Sequence, residues 1–229
     1  MELTRLTVLG TGSSGNCYLV EAGGEVLVLD VGVPIMEAKK ALDFDISKIS
    51  GVIASHKHGD HSKYIHEYET AGIPVWKPYE CESLRQDGQF GGFRVQSFGV
   101  VHNVPCCGFL IGHKDLGKIL YVTDTSYIPY RFKELRTMLI EANWGEQYVH
   151  KDDAKYLHSL QHHMSIETCV EAIKANTGTE LSHIILCHLS DSNSDERAFR
   201  SAVEAVAPPG CTVDVARKGL VVDLSEIPF

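Results

Sequence analysis

The chain has 229 residues, of which 44% are hydrophobic and 22% are charged. This composition excludes disordered and fibrous proteins, because such chains lack the mixture of apolar residues that builds a core. A compact domain of this length buries roughly 70% of the surface of its unfolded chain, so we expect a single domain over residues 1–229. The longest apolar runs, such as residues 181–189, are interrupted by His or Ser. They are shorter than the roughly 20 residues of a membrane span, so we expect no membrane association.

The net charge and the cysteines restrict the ligands and the compartment that we expect. The chain has 21 Lys and Arg against 30 Asp and Glu, a net charge of -9. Such a surface repels polyanions unless side chains or metal ions supply local positive charge. The seven cysteines are odd in number and include no Cys-x-x-Cys spacing, which disfavours a disulfide framework and a zinc ribbon. The first residues run directly into a strand pattern without a basic and apolar leader, so we expect a cytoplasmic protein.

Hydrophobic periodicity and turn residues predict the first elements of the chain. Three strands come first, over residues 3–9, 18–21 and 25–29, with a Gly/Ser loop at 10–16. Asp30 ends this meander. A helix is predicted over 34–42, with Pro at its first turn, and a short strand over 51–55 follows it.

Strands and helices alternate along the remaining chain. The predicted strands cover residues 73–76, 93–98, 109–112, 118–122, 137–141, 183–187, 211–215 and 220–222. The predicted helices cover 165–176, with Ser165 as N-cap, and 195–206. A meander followed by alternation suggests an α+β fold, with two mixed β-sheets packed face to face and helices outside, in four αββα layers. Periodicity alone also allows an α/β arrangement.

The strongest motif is Ser-His-Lys-His-Gly-Asp-His at residues 55–61, directly after a predicted strand. Residues two apart on an extended loop point to the same side, so His56 and His58 can bind one divalent ion. Asp60 and His61 would then face a second ion. Burial of these side chains is costly unless a metal uses their lone pairs. The motif therefore predicts a metal site, with a solvated histidine-rich turn as the alternative.

One short loop cannot complete the coordination of two ions, so further ligands must come from elsewhere. His102, Asp124 and His188 each follow a predicted strand. Side chains at strand ends converge at one edge of a sheet, where functional residues are concentrated. A single histidine at a strand end is more often structural, but several such residues together favour a shared metal site.

These residues resemble the metallo-β-lactamase superfamily along almost the full chain, from the loop 10–16 to His188. The resemblance implies the αββα sandwich and a site for two metal ions. It implies that one ion is bound by His56, His58 and His102. The other would be bound by Asp60, His61 and His188, with Asp124 as a bridge between the two. It also implies that Asp30 orients a ligand, with a simple turn carboxylate as the alternative.

Within the superfamily, the chain is most similar to the phosphodiesterase branch, which includes YycJ-type exonucleases and RNase Z. Residues 12–16, Gly-Ser-Ser-Gly-Asn, resemble the YycJ opening, and residues 139–143 resemble a strand that carries a glutamate in both groups. Residues 162–165 and 188–190 resemble their Gly-His-x-Ser and His-x-Ser sequences. The resemblance implies that His163 is a general acid or binds the phosphate, and that Glu141 helps to orient or protonate near the scissile phosphate. It also implies that Ser165 and Ser190 contact the substrate.

The chain departs from the pattern of these nucleases in three ways. His162 stands where the family has glycine, and Asn193-Ser194 stands where it has an Asn-Asn pair. RNase Z carries a long basic arm for tRNA, whereas residues 151–155 here, Lys-Asp-Asp-Ala-Lys, are mixed in sign. A duplex or tRNA substrate is therefore less expected, and a short single strand or a small nucleotide stays open.

The predicted activity is hydrolysis of phosphodiester bonds by a hydroxide that bridges two divalent ions, with Zn or Mn most expected. Asp60, Glu141 and His163 are the candidate catalytic residues. A nuclease acting on single-stranded nucleic acid ends is the leading interpretation, and a cyclic- or small-nucleotide phosphodiesterase is the second. Hydrolysis of a thioester, lactone or β-lactam at the same metals is a third, and a non-catalytic binding module is a fourth. The native metal and the oligomeric state stay open, a homodimer included.

Overall fold

The structure is a computed structural model that describes residues 4–149 and 160–225. The strands within these ranges, β1 to β13 in chain order, are Arg5–Gly10, Cys17–Ala22, Glu25–Leu29, Ile49–Ile53, Val75–Trp76, Asp87–Phe90, Phe93–Val100, Cys106–His113, Gly117–Val122, Leu135–Glu141, His183–Cys187, Thr212–Val215 and Val221–Asp223. The α-helices that lie wholly within these ranges, α1 to α5, are Ile35–Ala41, Gly59–Ser62, Ile65–Thr70, Ile166–Asn176 and Glu196–Glu204. None of these helices is long and apolar enough to cross a lipid bilayer.

The strands form two mixed sheets. The first has six strands in the order β13-β1-β2-β3-β4-β5, and the second has seven in the order β12-β11-β10-β9-β8-β7-β6. Strands β3, β4 and β5 are parallel to one another, and so are β9, β10, β11 and β12. The carboxyl ends of parallel strands lie at the same edge of a sheet, so the loops that follow them are brought together.

Three apolar clusters among the described residues pack the four layers of the fold together. The largest lies between the sheets and joins residues such as Tyr18 and Leu29 of the first sheet to Phe109 and Tyr121 of the second. A second cluster packs α4 and α5 against the outer face of the second sheet, and a third packs α1 against the outer face of the first. The predicted αββα sandwich of two mixed sheets with helices outside is confirmed.

The observed elements differ from the predicted ones in a few places. Strand β6 was missed, because its sequence Asp-Gly-Gln-Phe is largely polar and gives no apolar alternation. Strand β8 begins at Cys106 rather than at residue 109. The backbone of the loop 55–61 is extended at His58, as assumed for the pair His56 and His58, and it becomes helical at Gly59, where the backbone nitrogens of His61 and Ser62 donate to the carbonyl oxygen of His58. The seven cysteines are all free, in agreement with the expected absence of disulfides.

Three residues that follow parallel or central strands have a left-handed backbone. Asp30, Asp124 and His188 have φ values of 57°, 48° and 53°. This region costs an L-residue roughly 1–2 kcal/mol, and glycine is the residue that adopts it without cost. Asp and His at these positions therefore carry backbone strain that glycine would avoid, and such strain is typical of functional sites.

A glycine after β3 lets the loop 55–61 pack closely. A Cβ added to Gly32 would lie 1.8 Å from the carbonyl oxygen of Asp60 and 2.6 Å from the backbone nitrogen of Asn16. A Cβ added to Gly59, in the same loop, would meet nothing within 4 Å. The position of the histidine-rich loop therefore depends on the missing side chain at residue 32.

We expect Gly32→Ala to lower the free energy of unfolding by about 1–3 kcal/mol or more, because the backbone of the loop must move. Gly59→Ala is the matched control and should change the stability by less than about 1 kcal/mol, since alanine suits a helix better than glycine. Urea unfolding of both variants and the wild type measures this difference. Equal unfolding midpoints for the two variants would show that the loop does not need the close approach.

Candidate metal centre

The loop between β4 and α3 is fixed at the carboxyl edge of the first sheet by its backbone. The nitrogen of Asn16 donates to the carbonyl oxygen of Asp60 at 2.7 Å, and the nitrogen of Val31 donates to that of His61 at 2.7 Å. The loops after β1 and β3 thus bind the backbone of the histidine-rich loop by hydrogen bonds. This arrangement directs the side chains of His56, His58, Asp60 and His61 towards the second sheet.

Three histidines and one carboxylate form a first group of ligand atoms. His58 Nδ1 lies 3.0 Å from His56 Nε2 and 3.2 Å from His102 Nε2. Asp124 Oδ2 lies 3.6 Å from His56 Nε2 and 3.7 Å from His102 Nε2. Ligands at 2.0–2.1 Å from a tetrahedral zinc ion are separated from one another by about 3.3–3.4 Å. The four atoms have the spacing of such a coordination shell.

Two histidines and two carboxylates form a second group. His61 Nε2 lies 3.4 Å from Asp60 Oδ2 and 3.2 Å from Asp124 Oδ1. His188 Nε2 lies 3.5 Å and 3.4 Å from the same two oxygens. These distances again match the edges of a tetrahedral shell. Asp124 is common to both groups, because Oδ2 faces the first group and Oδ1 faces the second.

A buried nitrogen shows that the second group suits a cation. His188 Nε2 is inaccessible to solvent and makes no hydrogen bond within the described part of the chain. A buried polar atom of this kind costs about 1–3 kcal/mol, which a bound cation would relieve. Burial alone would lower the pKa of His188, but Asp124, Asp60 and Glu141 raise it to about 10. The carboxylates therefore favour positive charge at this point.

The first group keeps its imidazoles in the neutral form that binds metals. Burial, with the nearby His61 ring, lowers the pKa of His56 to about 2. Burial likewise lowers the pKa of His102 to about 4. Burial opposes ionisation of Asp124, but the adjacent His188 and His61 hold its pKa well below the usual value. Neutral imidazoles around an ionised carboxylate are a donor set that zinc, manganese and iron accept.

Asp30 orients the His61 ring from the interior. Its carboxylate is fully buried and accepts hydrogen bonds from His61 Nδ1 at 2.7 Å, Tyr121 Oη at 2.5 Å, and the nitrogen and hydroxyl of Ser55 at 2.6 and 2.8 Å. A proton on Nδ1 leaves the single lone pair of His61 on Nε2, the atom that lies among the second group of ligand atoms. Metal-ligating histidines are commonly oriented in this way.

Glu141, the last residue of β10, orients His163 and His188 as Asp30 orients His61. It is fully buried, and Oε1 accepts from His163 Nδ1 at 2.8 Å and from His188 Nδ1 at 3.1 Å. Oε2 accepts from the backbone nitrogens of Thr125 at 2.9 Å and Met164 at 3.3 Å. A carboxylate with four donors and no solvent contact orients its neighbours; it is poorly placed to protonate a substrate.

His163 lies beside the second group. Its ring stacks on that of His188, with 5.3 Å between centroids and 10° between planes, and its side chain is 12% exposed. Burial would lower the pKa of His163, but the ionised Glu141 raises it above the usual value. The structure therefore places a histidine that favours the protonated form at the rim of the two ligand groups.

The two predicted substrate-binding serines have different surroundings. Ser165 is buried, and its hydroxyl accepts from the nitrogen of Thr168 at 3.1 Å, which caps helix α4. This contact gives Ser165 a structural task and offers no support for a substrate contact. Ser190 is half-buried and lines a cavity of about 640 Å³ that also contains Thr11, Ser14 and Lys218.

Sequence reasoning missed several residues that hold the ligands. Thr11 accepts from the backbone nitrogen of His188, and Asn143 donates to its carbonyl oxygen. Asn16 could have been predicted, because it belongs to the stretch that resembles YycJ. Tyr121 could not, because its position in the sequence looks like an ordinary apolar position of a strand. The mixed-charge segment 151–155 lies outside the described residues.

The sequence is similar to that of known proteins. Residues 10–76 match the metallo-beta-lactamase superfamily. The chain is 26% identical to the exodeoxyribonuclease YycJ of Bacillus anthracis over 244 residues, which cover 92% of each chain. It is 23% identical over 252 residues to the exodeoxyribonuclease WalJ of Streptococcus pneumoniae, covering 92% of this chain and 91% of the relative.

Solved structures share the fold at low sequence identity. The metallo-beta-lactamase fold protein YhfI from Bacillus subtilis superimposes with a TM-score of 0.73 at 18% identity, over 97% of this chain and 100% of that one. The short form of human tRNase Z gives a TM-score of 0.61 at 16% identity, over 97% and 100% of the two chains. The predicted resemblance is confirmed, and the chain has the metallo-β-lactamase fold.

We expect Asp124→Ala to weaken zinc binding by both ligand groups, because it removes the carboxylate that they share. Asp115→Ala, which removes an exposed carboxylate near His113, is the control and should leave binding unchanged. Isothermal titration with Zn²⁺ of the metal-stripped proteins, with metal analysis after dialysis, measures the effect. Retention of the wild-type metal content by Asp124→Ala would contradict the shared role.

Proposed function

We propose that this metallo-β-lactamase-fold chain is a metal-dependent phosphodiesterase, most specifically a nuclease that acts on single-stranded nucleic acid ends. The observation that supports this activity most is the position of His163, which a 2.8 Å hydrogen bond to Glu141 holds against the ring of His188. A phosphodiester needs a proton donor for its leaving group in addition to metal ions. The match to YycJ over nearly the full length of both chains points in the same direction.

The two ligand groups would hold two divalent ions, one on His56, His58 and His102, the other on Asp60, His61 and His188, with Asp124 shared. Such a pair of ions supplies Lewis acidity, which makes water nucleophilic at neutral pH and offsets the charge of a phosphate. Asp60 is half-buried, and its pKa is lowered by the adjacent His188 and His61 despite the opposing effect of burial. It stays ionised and adds negative charge for the second ion.

His163 would act on the leaving group. Its Nδ1 donates to Glu141, so a proton transfer to the substrate would use Nε2. Glu141 fixes the plane of the ring and favours its protonated form, both of which a general acid requires. Expulsion of an alkoxide from a phosphodiester needs that proton, because an alkoxide is a far poorer leaving group than an alcohol.

Two other activities use the same metals. The net charge of -9 favours a small substrate, so a cyclic- or small-nucleotide phosphodiesterase is the second candidate. A thioester hydrolase would leave the pair of His163 and Glu141 without a task in proton donation, because a thiolate leaves without a proton. A lactone or β-lactam hydrolase could use such a donor, but the match to YycJ favours a phosphodiester substrate. We therefore rank these acyl hydrolases third.

One panel of assays separates these activities. Bis(4-nitrophenyl) phosphate, single-stranded DNA, RNA, cyclic nucleotides, a thioester and a chromogenic lactam are each incubated with Zn²⁺, Mn²⁺ or a chelator. We expect metal-dependent cleavage of the phosphodiesters and none of the acyl substrates. Preferential turnover of the thioester or the lactam, or full activity in chelator, would overturn the proposal.

We expect His163→Ala to reduce kcat/KM for single-stranded DNA by about 10²–10⁴-fold, the usual contribution of a general acid. The loss should be less than about tenfold for bis(4-nitrophenyl) phosphate, because nitrophenolate leaves without a proton. Steady-state kinetics on both substrates and metal analysis of the variant are the measurements. His66→Ala removes an exposed histidine of α3 and serves as the control. Equal losses on both substrates, or loss of metal, would exclude the proton donor.

A further inference from the structure

Several exposed apolar side chains lie close in sequence to the candidate metal ligands. Seven large hydrophobic side chains are exposed in the described part of the chain. Three of them lie in the loops that carry His102 or Asp124, namely Val101, Tyr127 and Tyr130, and Leu160 lies in a helical turn three residues before His163. Water-exposed apolar groups clustered at a site mark a binding surface more often than single ones scattered elsewhere.

Two of these loops are joined by hydrogen bonds. The nitrogen of Val101 donates to the hydroxyl of Thr125 at 3.1 Å, and that hydroxyl donates to the carbonyl oxygen of Tyr127 at 2.8 Å. The nitrogen of Ser126 donates to the carbonyl oxygen of Val101 at 3.4 Å. Val101 directly precedes His102, and Tyr127 lies three residues after Asp124. The two exposed side chains therefore stand on adjoining loops beside the first ligand group.

The Tyr127 loop is anchored from the interior. Thr125 is fully buried, and its nitrogen donates to Glu141, the carboxylate that also holds His163. The backbone at Tyr127 is thus fixed relative to the proton-donating histidine. A side chain presented from such a support binds with little loss of backbone freedom.

Tyr127 differs from the other exposed tyrosine of its loop. Tyr130 is 48% exposed but packs edge-on against Phe98 with 5.4 Å between centroids, and so belongs partly to the apolar cluster under it. Tyr127 is equally exposed at 48%, and, unlike Tyr130, it makes no ring-to-ring contact within residues 4–149 and 160–225. Its ring face is therefore available to a planar ligand.

We propose that Tyr127, with Val101 beside it, is a stacking platform for a nucleobase of the substrate next to the scissile phosphate. This inference rests on the proposed phosphodiesterase function and specifies the substrate as a base-bearing nucleotide chain. The chain carries a net charge of -9, so general attraction to the phosphates contributes little to binding. Stacking on an aromatic face acts without charge and tolerates any base, which suits a single strand.

The platform is tested with two single-stranded DNA substrates of about ten nucleotides. One is oligothymidylate, and the other has the same length but contains only abasic nucleotides. We expect the wild type to have a lower KM for oligothymidylate than for the abasic strand. Tyr127→Ala should raise KM for oligothymidylate by about 5- to 100-fold, the range for loss of one base stack. KM for the abasic strand should stay the same, and Tyr127→Phe should behave as the wild type.

Two controls separate this proposal from the function on which it rests. Phe44→Ala removes an exposed aromatic ring after α1 and should change neither KM. Metal-dependent hydrolysis of bis(4-nitrophenyl) phosphate by every variant reports the phosphodiesterase activity itself. Absence of that hydrolysis in the wild type defeats the proposed function. Hydrolysis with equal KM for the two strands, or with equal effects of Tyr127→Ala on both, defeats only the stacking platform.

Discussion

The structure depends on the buried carboxylate of Asp124 and on the positive charge that it requires. Its two oxygens lie among the ring nitrogens of His56, His61, His102 and His188, at 3.2 to 3.7 Å. An ionised carboxylate without solvent contact is costly unless cations or donors surround it. Two divalent ions shared by this carboxylate would balance the charge and would also supply the Lewis acidity of a hydrolase.

The fold serves to keep these atoms in place. Asp30 and Glu141 lie under the two ligand groups and hold His61, His163 and His188 by hydrogen bonds to their ring nitrogens. Backbone strain at three strand ends and the close approach of Gly32 to the histidine-rich loop serve the same purpose. Both sheets contribute, so the site exists only where the two carboxyl edges meet. Pre-organisation of this kind is what electrostatic catalysis needs.

Local patterns in the sequence predicted the strands and which side chains would come together, and the resemblance to a known family predicted the sandwich. Short apolar strands that end in His or Asp place those side chains at one edge, and the structure brings His56, Asp124 and His188 together there. Supporting contacts have no such pattern. The hydroxyl of Tyr121 reaches Asp30 across 91 residues of sequence, and a tyrosine inside an apolar strand reads as core. The exposure of Tyr127 also depends on how two distant loops meet, which periodicity does not reveal.

The most direct test is a crystal structure of the protein grown with Zn²⁺ or Mn²⁺, with anomalous diffraction recorded at the absorption edge of the metal. We expect two anomalous peaks about 3.5–4 Å apart, one within each ligand group, with the carboxylate of Asp124 between them. A single peak that does not contact Asp124, or no peak among these side chains, would contradict the central claim that the carboxylate is shared by two ions.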